Sequence, residues 1–188
     1  MPAMIKSIDS LFKKMPTKGI VCEIGIYKGK FSQKIQKISR PKEHHMIDCW
    51  APLCDPSGEV VISQKEQDKF FRFVSTSFKK LVKKKKCIIY KEYSRKIVSK
   101  FPDFFFDWVF VDGSHKYEDA LEDLTLYYPK VKMNGFICGH DYLNKTGKQL
   151  GPFGVIEAVT KFLSKNLNLK LDYLTSEKSP SYGIRKIK

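Results

Sequence analysis

The sequence predicts an α/β fold built on a mostly parallel sheet. Short apolar runs alternate with longer amphipathic stretches along the chain, the pattern of repeated strand–helix–strand units. The runs at 108–111 and 136–140 read as strands shielded from solvent, as parallel strands covered on both faces are. Four acids, Glu23, Asp48, Asp112 and Asp141, lie near the C-terminal ends of successive predicted strands. Open α/β sheets bind ligands at that edge, close to the point where strand order reverses.

Each element has its own local signal. Residues 4–15 read as an opening helix stopped by Pro16. Gly19 to Ile24 is the first strand. A helix spans 30–38, with Phe31, Ile35 and Ile38 on one side, and Pro41 ends that unit. His45 to Ile47 is a short second strand running into Asp48. Residues 50–63 hold Pro52, Pro56 and Gly58 and read as a loop. From 64 to 82 a helix places Phe70, Phe71, Val74, Phe78 and Leu81 on one face. Cys87 to Tyr90 is the third strand and 94–100 a short helix. Trp108 to Val111 is the fourth strand, 117–129 a helix and 136–140 the fifth strand. A polar loop at 143–152 leads to a helix at 153–165. Residues 169–174 and 182–187 form a terminal strand pair. Without repeats or a linker, 1–188 is expected to be one domain.

At 188 residues and 42% hydrophobic content the chain is long and apolar enough for a real core. No apolar run reaches the ~18–20 residues that span a bilayer, and the N-terminus lacks a signal-peptide pattern. Five cysteines without a C-x-x-C pair argue against zinc and suit a reduced, cytoplasmic compartment. The net charge of +15 is mostly lysine spread from end to end, densest at Lys79, Lys80 and Lys83 to Lys86. Cations at a helix C-terminus complement its dipole, so this run does not by itself name a partner.

Glu23-x-Gly25-x-x-x-Gly29 follows a strand and opens a helix, where glycines permit a tight turn and close approach of a ligand. A dinucleotide fingerprint begins with glycine; Glu23 would repel a pyrophosphate and suits a cationic or hydroxyl-rich ligand. Asp48 follows 25 residues later, a position from which a carboxylate can accept from both hydroxyls of a ribose. Ser94 can reach an adenine edge or cap the next helix. Asp112-Gly113-Ser114-His115 and His140-Asp141 each put an acid beside a histidine at a strand end. The two acids can share a divalent cation, or one histidine can act as general base.

These residues resemble class I S-adenosylmethionine-dependent methyltransferases, in the small-molecule O-methyltransferase branch that includes the macrocin-type sugar enzymes. The matches are the Glu23–Gly29 loop, Asp48, the stretch 106–115, Tyr117-Glu118-x-Ala120-x-x-Asp123-Leu124, Asn134-Gly135, Gly139-His140-Asp141-Tyr142 and Gly154-Val155-x-x-Ala158-Val159. The resemblance covers about residues 19–165 plus the terminal strands. It implies a Rossmann-like three-layer sandwich whose seven-stranded sheet has its last strand antiparallel. It further implies that Glu23, Gly25, Tyr27 and Gly29 surround the methionine part of the cofactor, that Asp48 holds the ribose and that Ser94 sits near adenine. Asp112 and His115 would lie beside the methyl donor, and Asp112, His115, His140 and Asp141 would carry the chemistry. Metal-dependent relatives bind Mg2+ through an acid at the Asp112 position and two consecutive residues at 141–142; here Tyr142 departs from that pattern, leaving Asp112 and Asp141 as the metal candidates.

The expected reaction is methyl transfer to a hydroxyl of a small molecule, anionic or sugar-like, such as a glycan precursor. Two alternatives stay open: an RNA-modifying methyltransferase or basic RNA-binding module, motivated by the charge, and a cofactor-binding scaffold without catalysis. The chain lacks an Asn-Pro-Pro-Tyr-type base-methylation motif, which counts against nucleic acid. A homodimer is compatible with so short a chain, since loops 50–63 and 143–152 are its only obvious substrate walls. Trp50, Tyr142 and Phe153 can line the acceptor pocket or pack in the core.

Overall fold

The structure, a computed structural model, describes residues 1–55, 57–147 and 151–187, with the backbone alone for 145–147, 151 and 152. In chain order the strands are β1 (Ala3–Ile5), β2 (Ile20–Ile24), β3 (Glu43–Asp48), β4 (Leu53–Cys54), β5 (Val60–Ile62), β6 (Cys87–Lys91), β7 (Phe106–Val111), β8 (Val131–Gly139), β9 (Asn144–Gly147), β10 (Gly151–Gly154), β11 (Leu169–Thr175) and β12 (Tyr182–Lys186). The helices are α1 (Ile8–Lys14), α2 (Lys30–Ile38), α3 (Gln64–Lys83), α4 (Ser94–Ile97, continued by a 3-10 turn), α5 (Tyr117–Tyr127) and α6 (Val155–Lys165).

Eight strands form one sheet in the order β1-β11-β12-β8-β7-β2-β3-β6. Only β12 runs against its neighbours, β8 and β11. The expected antiparallel last strand is therefore present, but the sheet has eight strands rather than seven. The extra one, β1, pairs in parallel with β11. It replaces the start of the predicted opening helix because Ser7, whose side chain accepts from Ser10 N at 3.3 Å, caps α1 and fixes where it begins. Both presumed loops also carry hairpins, β4–β5 and β9–β10. Pro56 and residues 148–150 of those loops lie outside the described residues.

Alternation along the central strands divides the core into two layers. Val21, Trp108, Phe110, Phe136 and Cys138 face α1 and α2. Cys22, Ile24, Val109, Val111 and Ile137 face the other way, under α5 and α6. Beside the first layer, α3 buries Val74 and Phe78 against Met46, Ile26 and Cys87. The strand ladder reverses direction of growth at β2, which lies between β3 and β7. The C-terminal ends of these three strands, with β8 next to β7, therefore form the rim where a ligand is expected. Among the described residues, no helix is long and apolar enough to cross a membrane.

Candidate functional site

The loop after β2 is shaped by close contact with the loop after β7. Gly25 has φ +84°, and a Cβ there would lie 2.1 Å from the Asp112 carbonyl oxygen. Only glycine satisfies both demands. Gly29, at φ +74°, precedes α2. Tyr27, Trp50 and Asp141, one in each of the loops leaving β2, β3 and β8, also have positive φ. Backbone held this way by non-glycine residues stores of order 1 kcal/mol or more per residue, here as at turns away from the rim such as Lys18 and Lys85.

Asp48 is the fastener of the first loop. Its Oδ2 accepts from Ile26 N and Tyr27 N, both at 2.8 Å, and its Oδ1 accepts from Trp50 N at 2.7 Å. Trp50 itself is buried, donates from Nε1 to the Tyr27 carbonyl at 3.0 Å, and packs on Phe71. It is a core residue rather than a pocket wall. Tyr27 is exposed, edge-on to Phe70, with Lys28 Nζ above both rings.

Glu23 lies deeper than the sequence suggests. It is fully buried, on the sheet face toward α2, where Ser32 and His44 face it. His44 Nε2 stands 3.0 Å from its carboxylate, and Gln36 Nε2 donates to His44 Nδ1 at 3.1 Å, so the imidazole proton is on the nitrogen aimed at Glu23. Burial raises the pKa of Glu23, and the nearby His44 and Ser32 oppose that rise. This enclosed carboxylate braces the loop from below and offers no surface to a ligand. His44 was legible only as a polar residue interrupting an apolar strand.

Ser94 is the first residue of α4, not its cap. Its hydroxyl donates to Asp123 on α5 at 2.5 Å. Asp123 is buried, and burial pushes its pKa up to about 6. Its Oδ2 lies 3.5 Å from where a Cβ on Gly113 would sit, so the Ser94–Asp123 pair backs the loop that carries Asp112.

The four remaining candidates converge. His115 Nε2 lies 3.2 Å from Asp141 Oδ2 and 3.7 Å from Asp112 Oδ1. His140 Nδ1 lies 3.1 Å and 3.6 Å from the same two oxygens. Several elements hold this quartet. His140 N donates to the Val111 carbonyl, continuing the β7–β8 ladder one bond beyond Gly139. Phe31 of α2 packs on the His140 ring, and Phe153 stacks on His115 at 4.7 Å with the rings 6° apart. Gly139 must be glycine, because a Cβ would meet the Tyr182 hydroxyl at 2.3 Å. The adjacent Tyr142 packs on Tyr182 and donates its N–H to the Pro180 carbonyl. The segment 176–181 between β11 and β12 thus adds a wall that the sequence did not disclose, with Ser179 facing Asp141 and Glu177 acting on His140.

Electrostatics divide the quartet. Burial raises the pKa of Asp112, against the opposing pull of His115 and His140. For Asp141 burial is outweighed by the His140 hydrogen bond and the charges of both histidines, and the pKa falls. Burial works against the charged form of His140, but Asp141 and Asp112 overcome it and the pKa rises. Two part-exposed acids beside two imidazoles can complement a cation and hold or take a proton.

A family model described as a methyltransferase domain matches residues 22–142, which contain the Gly25 loop, Asp48 and the whole quartet. The chain belongs to this methyltransferase family. Membership implies S-adenosylmethionine as methyl donor, and a rim offering carboxylates to a sulfonium fits it. Three solved structures share the methyltransferase's fold. A provisionally assigned rRNA methylase from Clostridium thermocellum has TM-score 0.68 at 14% identity, covering 99% of this chain and 98% of that one. An S-adenosylmethionine-dependent O-methyltransferase from Thermotoga maritima has TM-score 0.62 at 9% identity, covering 99% and 68%. A tRNA methyltransferase from B. subtilis has TM-score 0.62 at 7% identity, covering 98% and 67%. No curated protein matches the methyltransferase in sequence.

Proposed function

We propose that this methyltransferase transfers a methyl group to a hydroxyl of a small molecule, with sugar-like or anionic acceptors the leading candidates, and that 1–188 works as one cytoplasmic domain. The observation that carries this reading is the convergence of two imidazoles and two carboxylates at the C-terminal ends of β7 and β8. A hydroxyl is a poor nucleophile until a base takes its proton, and such a quartet is suited to that task. S-adenosylmethionine supplies the methyl group as a sulfonium. His140 is the proposed base: Nδ1, 3.1 Å from Asp141 Oδ2, carries the proton of the neutral ring, Nε2 receives the hydroxyl proton, and Asp141 and Asp112 stabilise the imidazolium that forms. Asp112 also faces the positive charge of the donor. The Gly25–Gly29 loop, with Tyr27 exposed beside it, is the proposed cradle of the methionine part, and Ser94 with Asp123 supports the adenosine side. Asp48 acts by fixing the loop backbone, with its outer lone pairs left for ribose hydroxyls. Catalysis then rests on alignment and proton removal.

Calorimetry with S-adenosylmethionine on folded, cofactor-stripped protein tests the first half of the reading, and binding in the micromolar range is expected. Absence of binding would overturn it. Conversion to S-adenosylhomocysteine in the presence of hydroxylated small molecules tests the second.

An RNA acceptor is favoured by one specific feature. The C-terminal half of α3 and the outer edge of β6 form a groove of about 670 Å3 in which Lys79, Lys83 and Lys85 outnumber the one acid, Glu43, around Val82 and Ile88. Binding of RNA that is tighter than micromolar at physiological salt and falls steeply with added salt would move the assignment there.

A further inference from the structure

We infer that Asp112, His115 and Asp141 form a mixed nitrogen–oxygen centre for one divalent first-row transition metal, of the Mn2+, Fe2+, Co2+ or Zn2+ class, rather than an all-oxygen Mg2+ site. The inference rests on the reading above in placing the ion at the same rim. One donor atom from each of these three side chains lies within 4.8 Å of the others. The imidazole is the informative member. The sequence pointed to Asp112 and Asp141 as an oxygen pair, and the fold inserts a nitrogen between them.

Distances support a shared ion better than a simple ion pair. Ligands at ~2.0–2.2 Å from a metal stand about 3.0–3.4 Å from one another along a coordination edge. His115 Nε2 is 3.2 Å from Asp141 Oδ2 and 3.7 Å from Asp112 Oδ1, so small side-chain movements close the set. Yet His115 Nε2 is buried and makes no hydrogen bond, although a carboxylate oxygen is within reach. The ring is also held in place: Phe153 stacks flat against it, and the His115 carbonyl accepts from Gly154 N at 2.9 Å. A fixed imidazole loses little freedom on metal binding.

Ligand chemistry then selects the ion. Mg2+ is small, dehydrates reluctantly and takes oxygen donors almost exclusively. Imidazole suits the later divalent ions, whose affinity for a given nitrogen–oxygen site rises from Mn2+ toward Cu2+. Three protein ligands leave positions open, as in catalytic rather than structural sites. His140 Nδ1 faces the same two carboxylate oxygens, 3.1 Å from Asp141 Oδ2 and 3.6 Å from Asp112 Oδ1.

Titration of chelator-stripped protein with MnCl2, followed by the electron paramagnetic resonance signal of free Mn2+, reads stoichiometry and affinity without any methyl acceptor. One Mn2+ per chain is expected, retained in millimolar Mg2+, and Co2+ in its place should give visible d–d absorption. His115→Ala and, as a gentler change, His115→Asn should each weaken Mn2+ at least about tenfold, more than loss of a merely supporting contact at the lower end of its range. S-adenosylmethionine binding and the melting temperature report whether the variants fold. If the folded protein binds S-adenosylmethionine but no Mn2+ or Co2+, the metal centre is refuted and the methyltransferase reading survives. If Mn2+ binds but Mg2+ displaces it equally well and His115→Ala has no effect, the site is all-oxygen and the inference is equally refuted. Mn2+ binding that depends on His115 in a protein that ignores S-adenosylmethionine would uphold the centre and overturn the cofactor reading.

Discussion

The two halves of the rim use the same sequence device in opposite ways. At the ends of β2 and β3, Glu23 and Asp48 are acids closing apolar strands, and both are engaged by the protein itself. Glu23 is 1% exposed and paired with His44, while Asp48 accepts three backbone N–H groups. At the ends of β7 and β8, Asp112 and Asp141 are 17% and 15% exposed and face imidazoles whose nitrogens can exchange a proton or hold an ion. A carboxylate that accepts fixed backbone donors organises a loop. A carboxylate that faces titratable groups organises chemistry. On the proposed function the first half is the scaffold for the second, and the tight contact of Gly25 with the Asp112 carbonyl joins them.

That division predicts different losses on the two sides. The largest effect belongs to the chemical half: His140→Ala should lower turnover by about 10²–10⁴-fold, the span of general-base catalysis, with S-adenosylmethionine binding and melting temperature little changed. A parallel fall in cofactor affinity would erase the distinction. On the scaffold side, Glu23→Ala should cost about 3 kcal/mol in denaturant unfolding, the upper end for a buried polar group, because it leaves His44 Nε2–H without the carboxylate beside it. Asp48→Ala should cost about 2–3 kcal/mol by orphaning the Ile26, Tyr27 and Trp50 donors, and it should abolish cofactor binding as the loop relaxes.

The smallest effect sharpens the comparison with a third acid. Asp123 is buried like Glu23, and burial outweighs the Ser94 hydroxyl and the Arg95 charge that favour its ionised form, so its pKa is pushed up to about 6. An unfolded aspartate titrates near ~3.9. The folded state therefore prefers the protonated form, so the contribution of Asp123 to stability is full below about pH 4 and is lost as pH rises through about 6. Asp123→Asn should remove that dependence and stabilise the protein by about 1–2 kcal/mol at pH 7 to 8, with no gain at pH 4. Melting curves of both proteins across this range check it.

Much of the frame was readable because its signals are local. The α3 face, the buried runs of β7 and β8 and the glycines around the first turn depend on near neighbours in sequence. What escaped was contingent on distant partners. Ala3–Ile5 is a strand only because β11 offers it an edge. The β4–β5 and β9–β10 hairpins hide in polar loops. Trp50 could line a pocket or fill the core, and the position of Phe71 decides for the core. The segment 176–181 reaches the site through Ser179 and Pro180, more than 35 residues from Asp141, with no motif to announce it.

By itself the sequence determined that acids would gather at the C-terminal ends of parallel strands, since period-two burial and strand direction follow from the order of apolar and polar residues. Only tertiary structure decided which of those acids remain available. Whether a carboxylate meets an amide, a hydroxyl or an imidazole depends on groups brought within about 3 Å from other strands and helices, and a pKa or a coordination set depends on that whole surrounding rather than on the residue that bears it.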